Sequence, residues 1–357
     1  MRAANVSDFI LREWLLFAAL LGVAATSLYL GRLPSFSASQ LQVLALLWVL
    51  FVVIHGLRAG GGISWLARVL EGGKLLPLKL VLGTFFLSAL VTNDVALVLI
   101  VPLTLSLNIE KKDILVILEA LAANAGSALT PFGNPQNLLI YWYYRLDPGT
   151  FMAAILPFSG AFLFLLAAGA LAVKAGKRKG EPGPFPAVER SAWLYGIMLV
   201  WVDLVILRLL PPVAAAPVLL YPLLADRRAL EVDYLLLATF FFFFGAADNL
   251  RVIFASDLAY TGHTFLLSSL SSQVMSNVPS ALLFSRFTHH WKALLWGVNV
   301  GGFGSLMASF ANLIACRLYL VREGRENGSW FTLKFVGLGY VMFFAGMGLY
   351  WAMGWFR

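Results

Sequence analysis

Residues 130–137, with the sequence TPFGNPQN, interrupt an apolar stretch with two prolines, one glycine and three amide side chains. Proline and glycine stop a helix, and the backbone groups that they free are costly to leave unpaired in an apolar environment. Such a break is stable where it lines a buried cavity. A simple proline kink would not need the amides, so the pattern predicts a polar binding site. Its candidate residues are Thr130, Pro131, Gly133, Asn134 and Asn137.

A second polar interruption, in residues 301–312, is opened by glycine and contains no proline. Unwound carbonyls and hydroxyls can coordinate a cation. The N-terminus of a resuming helix offers free N–H groups and a positive dipole end to an anion. One element can therefore serve both kinds of ligand. Its candidate residues are Gly301, Gly304, Ser305, Ser309 and Asn312.

The two breaks belong to an internal repeat. Residues 124–139 align without gaps with residues 299–314. A shorter match lies upstream in each half and pairs Thr92-Asn93 with Ser276-Asn277. The main pairs of the longer match are Asn124 with Asn299, Gly126 with Gly301, Thr130 with Ser305, and Asn137 with Asn312. Because content and order both recur, the sequence predicts two structural repeats. An amide donates and accepts at once, so we expect Asn93 and Asn277 to hold their segments against the breaks.

The elements that carry these residues must lie in lipid. Hydrophobic residues make up 60% of the 357-residue chain and charged residues only 12%, too few to cover a soluble globule. Several apolar stretches approach or exceed the roughly 20 residues that cross a hydrocarbon core. The formal net charge of +8 comes from basic residues between these stretches, which indicates membrane topology rather than nucleic-acid binding. The predicted fold is therefore an all-α polytopic membrane protein.

Basic clusters, kept on the cytoplasmic side, predict how the chain is threaded. The first repeat is residues 1–173, and the second, inverted repeat is residues 212–357. A charged linker, residues 174–190, and a linking span, residues 191–211, join them. Each repeat contains a re-entrant hairpin and a broken helix, predicted at residues 81–107 and 114–144, then at 264–287 and 293–315. The total is about nine crossings plus two hairpins, with the N-terminus in the cytoplasm. An ordinary span through residues 276–284 is the alternative.

Asp94 directly follows the first Thr-Asn pair. A carboxylate at mid-membrane costs roughly 2.5 to 3.5 kcal/mol and needs a partner, a proton or a cation. Its repeat partner is Val278, so the charge occurs in one half only. We interpret Asp94 as the coupling-ion site, and an interfacial helix cap is the alternative.

The remaining acidic residues give weaker signals. Asp203 is expected to pair with Arg208 near the interface, whereas the role of Glu119 is left open. Asp248 and Asn249 are expected to end a span or line an outer cavity mouth.

Several function classes lack their required residues. Cys316 is the only cysteine, so neither a disulfide nor a thiolate metal cluster can form within one chain. The four histidines, including His55, lack acidic or cysteine partners at metal-ligand spacing and are expected at the interface. The sequence contains no P-loop and no polar catalytic cluster, so we expect neither an ATP-driven pump nor an enzyme. A channel would not require two inverted breaks.

Three segments resemble the ion-transporter superfamily that includes the arsenite-pump membrane subunit, the D-type sodium/proton antiporters, and the citrate and divalent-anion symporters. They are VTNDVALVLIVPLTL (residues 91–105), ANAGSALTPFGNPQNLLIY (residues 123–141) and SNVPSALLF (residues 276–284). The closest likeness is to bacterial anion permeases of unknown substrate. In that superfamily the hairpin tips and breaks hold the coupling sodium and the substrate carboxylate. The residues that take these roles by resemblance are Thr92, Asn93, Thr130, Pro131, Asn134, Asn137, Ser276, Asn277, Ser305, Ser309 and Asn312.

The resemblance implies an anion transporter of the bacterial inner membrane, driven by sodium or protons and without another cofactor. It implies sodium at Asn93, Asp94 and Asn137 and at Asn277 and Asn312. The aspartate after Asn93 departs from the Ser-Asn-Thr tips of the dicarboxylate symporters and leaves proton coupling open. A cation/proton antiporter centred on Asp94 and an arsenite-type efflux permease are the alternatives. Members of this superfamily are often dimers, which makes a homodimer an expected partner beside membrane lipid and a small ion.

Overall fold

The computed structural model describes residues 13–70, 75–107, 109–174, 187–253, 263–324 and 328–354. The regular elements in these ranges are helices, and no β-strand occurs among them. The predicted charged linker, residues 174–190, lies mostly outside the described residues, as do the basic residues Arg2, Arg12 and Lys74 that support the predicted orientation. The all-helical fold class is confirmed.

Nine α-helices are described before residue 210. They are α1 (Trp14–Leu30), α2 (Ala38–Ala59), α3 (Gly62–Leu70), α4 (Leu76–Leu90), α5 (Asn93–Ser106), α6 (Lys112–Ser127), α7 (Pro135–Tyr143), α8 (Pro148–Leu171) and α9 (Arg190–Ile206). A 3-10 helix (Pro212–Leu219) continues into α10 (Leu220–Leu224), and a 3-10 turn (Arg227–Leu230) leads to the next helix. The remaining helices are α11 (Tyr234–Ile253), α12 (Thr264–Met275), α13 (Asn277–Ser285), α14 (Trp291–Gly301), α15 (Phe310–Glu323) and α16 (Gly328–Ala352).

Four segments are long and apolar enough to cross a membrane: Ala38–Ala59, Pro148–Leu171, Arg227–Ile253 and Gly328–Ala352. The shorter apolar helices include α1, which precedes these segments, and α4 and α5, which follow the first of them. These shorter helices, at 1.5 Å per residue, fall below the span of a full hydrocarbon core. The length and composition of these helices are those of a polytopic membrane protein.

The short helices form two similar pairs. Helices α4 and α5 pack against each other and are joined by Val91 and Thr92, and we call them the first helix pair. Helices α12 and α13 pack in the same way around Ser276 and form the second helix pair. Ser276 has φ of 74°, a conformation uncommon for a residue with a side chain. One or two residues thus join the two helices of each pair.

Helices α6 and α14 are buried most completely. Every residue of α6 from Leu115 to Ser127 is buried, and so is every residue of α14 from Leu294 to Gly301. Helix α6 packs on the first helix pair and α14 on the second. Both helices end in non-helical residues, after which α7 and α15 begin. The polar sequence interruptions therefore lie at the centre of the molecule.

Candidate functional site

The first break, residues 128–134, is held by two asparagines. The Asn137 amide donates to the carbonyls of Ser127, Ala128 and Thr130 over 3.2, 2.9 and 3.3 Å. The Asn134 side chain caps α7 by accepting from the Asn137 backbone N–H over 3.1 Å. These bonds satisfy carbonyls that the end of α6 leaves without helical partners. The amides that distinguish this segment from a proline kink thus stabilise the unwound backbone.

The second break is held in a similar way. The Asn312 amide donates to the carbonyls of Gly302 and Ser305, both over 3.0 Å. Ser309 caps α15 through a bond from the Ala311 backbone N–H. Gly304 has φ of 93°, which a residue with a side chain adopts only with strain. Gly304 therefore allows the backbone to leave the helical conformation, and Asn312 satisfies the carbonyls that this frees.

The two breaks are joined by asparagine pairs. The Asn124 Nδ2 donates to Oδ1 of Asn312 over 2.8 Å, and the Asn299 Nδ2 donates to Oδ1 of Asn137 over 2.9 Å. All four residues are buried, with at most 4% of their surface exposed. The first contact joins α6, which ends at the first break, to α15, which begins after the second break. The second contact joins α14, which ends at the second break, to α7, which begins after the first. Amide pairs in a buried environment make such bonds both strong and specific in geometry.

The first helix pair contacts the first break at its turn. The Asn93 backbone N–H donates to the carbonyl of Gly133 over 3.3 Å, and the Thr130 hydroxyl donates to the carbonyl of Ala89 over 2.7 Å. The Asn93 amide also donates to Oδ1 of Asn124 over 3.3 Å. The expectation that Asn93 holds this turn against a break agrees with these contacts.

Gln273 joins the second helix pair to the second break. Its amide donates to the carbonyls of Gly301 and Phe303 over 2.8 and 3.0 Å, and its Oε1 accepts from the Ser305 backbone N–H over 2.9 Å. The Ser305 hydroxyl donates to the Gln273 carbonyl over 2.8 Å. The sequence analysis missed Gln273. A signal was present, since the residue lies one helical turn before Ser276, which the repeat had selected.

Glycine permits close helix contacts at equivalent positions of both pairs. A Cβ on Gly126 would lie 2.1 Å from the carbonyl oxygen of Phe85, and one on Gly301 would lie 2.6 Å from Cβ of Ser272. Neither distance is compatible with a side chain. These two glycines, which the repeat alignment pairs, therefore set how closely α6 and α14 approach the helix pairs.

A cavity of about 220 Å³ lies where both helix pairs meet both breaks. The opening residues of four helices line it, and helix N-termini carry unpaired N–H groups and partial positive charge. These residues are Asn93 of α5, Pro135 of α7, Asn277 of α13 and Phe310 of α15. The cavity is thus surrounded by four positive dipole ends.

Charged and polar side chains complete the cavity wall. Asp94 and Asp233 supply carboxylates, and Arg58 and His55 face them from α2. Asp94 forms no ion pair with any residue in the described part of the chain. His55 also lines the cavity, a contact that the sequence analysis did not predict. The sequence analysis did not select Arg58, because a basic residue at the end of a span is also what membrane topology alone predicts.

The predicted site residues divide into two groups. Those that line the cavity are Asn93, Asp94, Asn277 and Ser309. Those that build the break and turn framework without lining it are Thr92, Thr130, Pro131, Gly133, Asn134, Asn137, Ser276, Gly301, Gly304, Ser305 and Asn312. Gln136, which the sequence analysis did not select, lines the cavity next to Pro135.

Two expectations for acidic residues were wrong. Arg208 does not pair with Asp203; its guanidinium donates to the carbonyls of Tyr141, Trp142 and Leu146, at the end of α7. A guanidinium at a helix C-terminus meets both unpaired carbonyls and the negative dipole end, which explains this choice.

Asp248 does not end a span, because α11 continues to Ile253. Its carboxylate pairs with Arg32 over 2.7 Å and accepts from the backbone N–H of Ser35, which ties α11 to the segment after α1.

Comparison with known proteins identifies the family. Residues 9–353 match the family model described as citrate transporter. The chain belongs to the citrate transporter family. It is 34% identical to the transporter MJ0456 of Methanocaldococcus jannaschii over 293 residues, which cover 78% of this chain and 82% of that relative. It is 37% identical to the inner membrane protein YbiR of Escherichia coli over 264 residues, 69% and 70% of the two chains.

A shorter match connects the family to a plant protein. The silicon efflux transporter LSI3 of Oryza sativa subsp. japonica is 35% identical over 131 residues, which cover 34% of this chain and 27% of that relative. Together these matches confirm the resemblance to the ion-transporter superfamily. As a member of the citrate transporter family, the protein is a membrane transporter of a small anion or other solute and not an enzyme.

Proposed function

We propose that the protein binds a small inorganic or organic anion in the central cavity and moves it by secondary active transport. The convergence of four helix N-termini carries the proposal. Each N-terminus is equivalent to about half a positive charge, which attracts an anion although the N–H groups of Asn93, Asn137 and Ala311 already donate within the chain. The volume of about 220 Å³ is below the roughly 300–1,000 Å³ of pockets for drug-sized ligands, which favours a small ion.

The two halves, in this proposal, are inverted repeats with re-entrant hairpins at the two helix pairs and about nine crossings around them. A pseudo-twofold relation requires each contact to occur twice with the halves exchanged. The bond from Asn124 to Asn312 has its counterpart in the bond from Asn299 to Asn137. The bond from the Thr130 hydroxyl to the first helix pair has its counterpart in that from Ser305 to the second. These reciprocal contacts support the two inverted repeats. We propose for them the boundaries predicted from the sequence, residues 1–173 and 212–357.

Transport would proceed by movement of the two hairpins and two broken helices against the remaining spans. Their shared hydrogen bonds favour motion as one unit, since the breaks lose their partners if the hairpins separate from them. The cavity reaches Arg58 and Asp233, which the predicted topology puts near the cytoplasm. The conformation is then inward-facing, in an inner membrane with the N-terminus in the cytoplasm. A homodimer is the oligomer we propose from the superfamily resemblance.

The coupling ion is sodium or a proton in this proposal. Asn93, Asp94 and Asn277 present oxygen atoms near the cavity, and unwound carbonyls lie beside them. The Oδ1 atoms of Asn137 and Asn312 already accept hydrogen bonds across the two breaks. In this proposal Asn137 and Asn312 do not bind sodium directly. They position the neighbouring backbone carbonyls that do.

Asp94 favours one alternative, a cation/proton antiporter. Its carboxylate lines the cavity and has no cationic partner in the described chain. A carboxylate in this position can exchange a proton for a metal cation without any anion. An arsenite-type or silicon-type efflux permease is the other alternative, and the partial match to LSI3 favours including it in the test.

Purified protein in proteoliposomes provides the test. Citrate, succinate, phosphate, arsenite and silicic acid would each be offered under an imposed sodium or proton gradient. Accumulation of one anion that stops when the gradient is collapsed supports the proposal. Sodium-dependent proton flux with no movement of any of these solutes supports the antiporter and contradicts the proposed anion transport. Thermal unfolding in detergent with the same solutes supplies an independent measure, because a bound ligand stabilises the state that binds it.

A further inference from the structure

Glu119 is a carboxylic acid buried between α5 and α6, away from the cavity residues. It lies on α6, and none of its surface is exposed. The Thr104 hydroxyl on α5 donates to its Oε1, whereas Oε2 has no hydrogen-bond partner. Thr104 and Glu119 thus form a polar contact in an interface that is otherwise largely apolar.

The surroundings of Glu119 offer no charge to balance a carboxylate. The residues one turn away on its own helix, Leu115, Val116, Ala122 and Ala123, are apolar and fully buried. Helix α6 also packs against α4, α5, α8, α15 and α16. The titratable groups that the described parts of these helices carry are Lys79, Asp94, Cys316, Arg317, Tyr319, Arg322, Glu323, Lys334, Tyr340 and Tyr350.

None of these groups forms an ion pair with Glu119. Two of the nearest lysines by sequence and packing are used elsewhere, because Lys334 pairs with Asp113 and Lys112 with Glu323. An ionised carboxylate with one hydrogen bond and no counterion is strongly disfavoured in such an environment. The geometry therefore requires the neutral acid.

The second half of the chain shows that packing does not need this carboxyl. The offset that pairs Asn124 with Asn299 pairs Glu119 with Leu294, which is also fully buried. A leucine thus fills the equivalent place at the second helix pair. The carboxyl, like that of Asp94, occurs in one half only, which indicates a role other than filling space.

We propose that Glu119 is a proton-binding site of the transport cycle, which rests on the proposed function. Its carboxyl holds a proton in the conformation described here. It releases the proton when water reaches the interface between α5 and α6. Because α6 carries Asn124 and α5 carries Asn93, loss of the proton would loosen the contact between the first helix pair and the first break. The bound species is a proton, and no other reactant is needed.

Infrared spectroscopy of the folded protein tests the protonation directly. Wild-type protein at neutral pH should show the carbonyl band of a buried carboxylic acid, and Glu119→Gln should lose it. The control is Glu110→Gln, which removes an exposed carboxyl just before α6 and should leave the band unchanged. A difference spectrum of wild type minus Glu119→Gln that lacks this band overturns the proposal, and a band from another buried carboxyl such as Asp203 cancels in that difference. Glu119→Leu, which copies the leucine of the equivalent position 294, should lose the same band and provides a second variant if glutamine prevents folding.

Transport in proteoliposomes tests the coupling. Glu119→Gln should keep exchange of labelled for unlabelled solute and lose accumulation driven by a proton gradient, whereas Glu110→Gln keeps both. Accumulation that still follows the proton gradient in Glu119→Gln overturns the proposal. If wild-type protein moves no anion at all, the proposed function fails, while the infrared result still decides the protonation of Glu119.

Discussion

Asparagine supplies most of the hydrogen bonds at the centre of this protein because its amide donates and accepts at once. Asn137 donates to the carbonyls of its own break and accepts from Asn299 of the other half. Asn312 does the same with Asn124 as its donor. An aspartate has the same shape but no hydrogen to donate. A side chain of the right size is therefore not enough at these positions, because it must also both donate and accept hydrogen bonds.

Replacing Asn312 by Asp should destabilise the protein. The change removes both donors to the carbonyls of Gly302 and Ser305 and brings a negative charge against them. We expect a loss of roughly 1–3 kcal/mol in the free energy of unfolding, measured by thermal or denaturant unfolding in detergent.

The matched control is Gln42→Glu, also an amide-to-carboxylate change. Gln42 is exposed near the start of α2, so its change should leave stability within error. Equal stability losses in both variants would contradict the assigned role of Asn312.

Variants of Asp94 and Asp233 distinguish a role in ion coupling from the effect of removing a negative charge at the cavity. Both carboxylates line the cavity, so Asp94→Asn and Asp233→Asn each remove one negative charge there. We expect Asp94→Asn to abolish dependence of solute uptake on the ion gradient and still to insert in the membrane, whereas Asp233→Asn keeps that dependence. Proteoliposome flux under imposed gradients measures both. Gradient-dependent flux in Asp94→Asn would remove its coupling role.

At the scale of elements, the helix pairs and the breaks depend on each other. A break leaves carbonyls unpaired, and a helix pair that ends in mid-protein leaves its turn unpaired. Asn137 and Asn312 pair the carbonyls of the breaks. The hydroxyls of Thr130 and Ser305 donate from the breaks to the last turn of the neighbouring helix. Gly126 and Gly301 let the backbones come close enough for these bonds.

Gly126→Ala should separate α6 from α4. The new Cβ would lie 2.1 Å from the Phe85 carbonyl oxygen, so a helix must shift, at a cost of about 1–3 kcal/mol in unfolding free energy. Gly160→Ala in α8 is the control. No atom lies within 4 Å of that Cβ, and alanine there should stabilise the protein by up to about 1 kcal/mol. A stable Gly126→Ala variant with unchanged flux would show that the close contact is dispensable.

Gln273→Leu should loosen the second break while the helices persist. The variant leaves the carbonyls of Gly301 and Phe303 and the N–H of Ser305 without their partner. We expect faster amide hydrogen exchange at residues 301–305 and little change elsewhere. Val274→Ala, at the exposed neighbouring position, is the control. Unchanged exchange in Gln273→Leu would mean that the break is held by other contacts.

At the scale of the whole molecule, the fold class and both breaks could be predicted from sequence because lipid limits where irregular backbone can lie. Glycine, proline and asparagine in apolar stretches predicted the breaks, whereas the repeat relation between the halves stays a prediction. The choice among polar partners in three dimensions could not be predicted. Arg208 meets the end of α7 instead of Asp203, and His55 lies at the cavity, because several polar partners were equally near along the chain. The roles of the site residues remain predictions for the experiments above.

The bond between Asn137 and Asn299 joins residues that are 162 positions apart. A ribosome adds roughly 5–20 residues per second, so the acceptor is in the membrane for about 8 to 30 s before its donor is made. During that interval the Asn137 amide can already bond the carbonyls of its own break, but its Oδ1 lacks the donor from the second half. Variants of Asn299 never supply this donor, so they should lower the abundance of the protein in cells more than its activity per molecule.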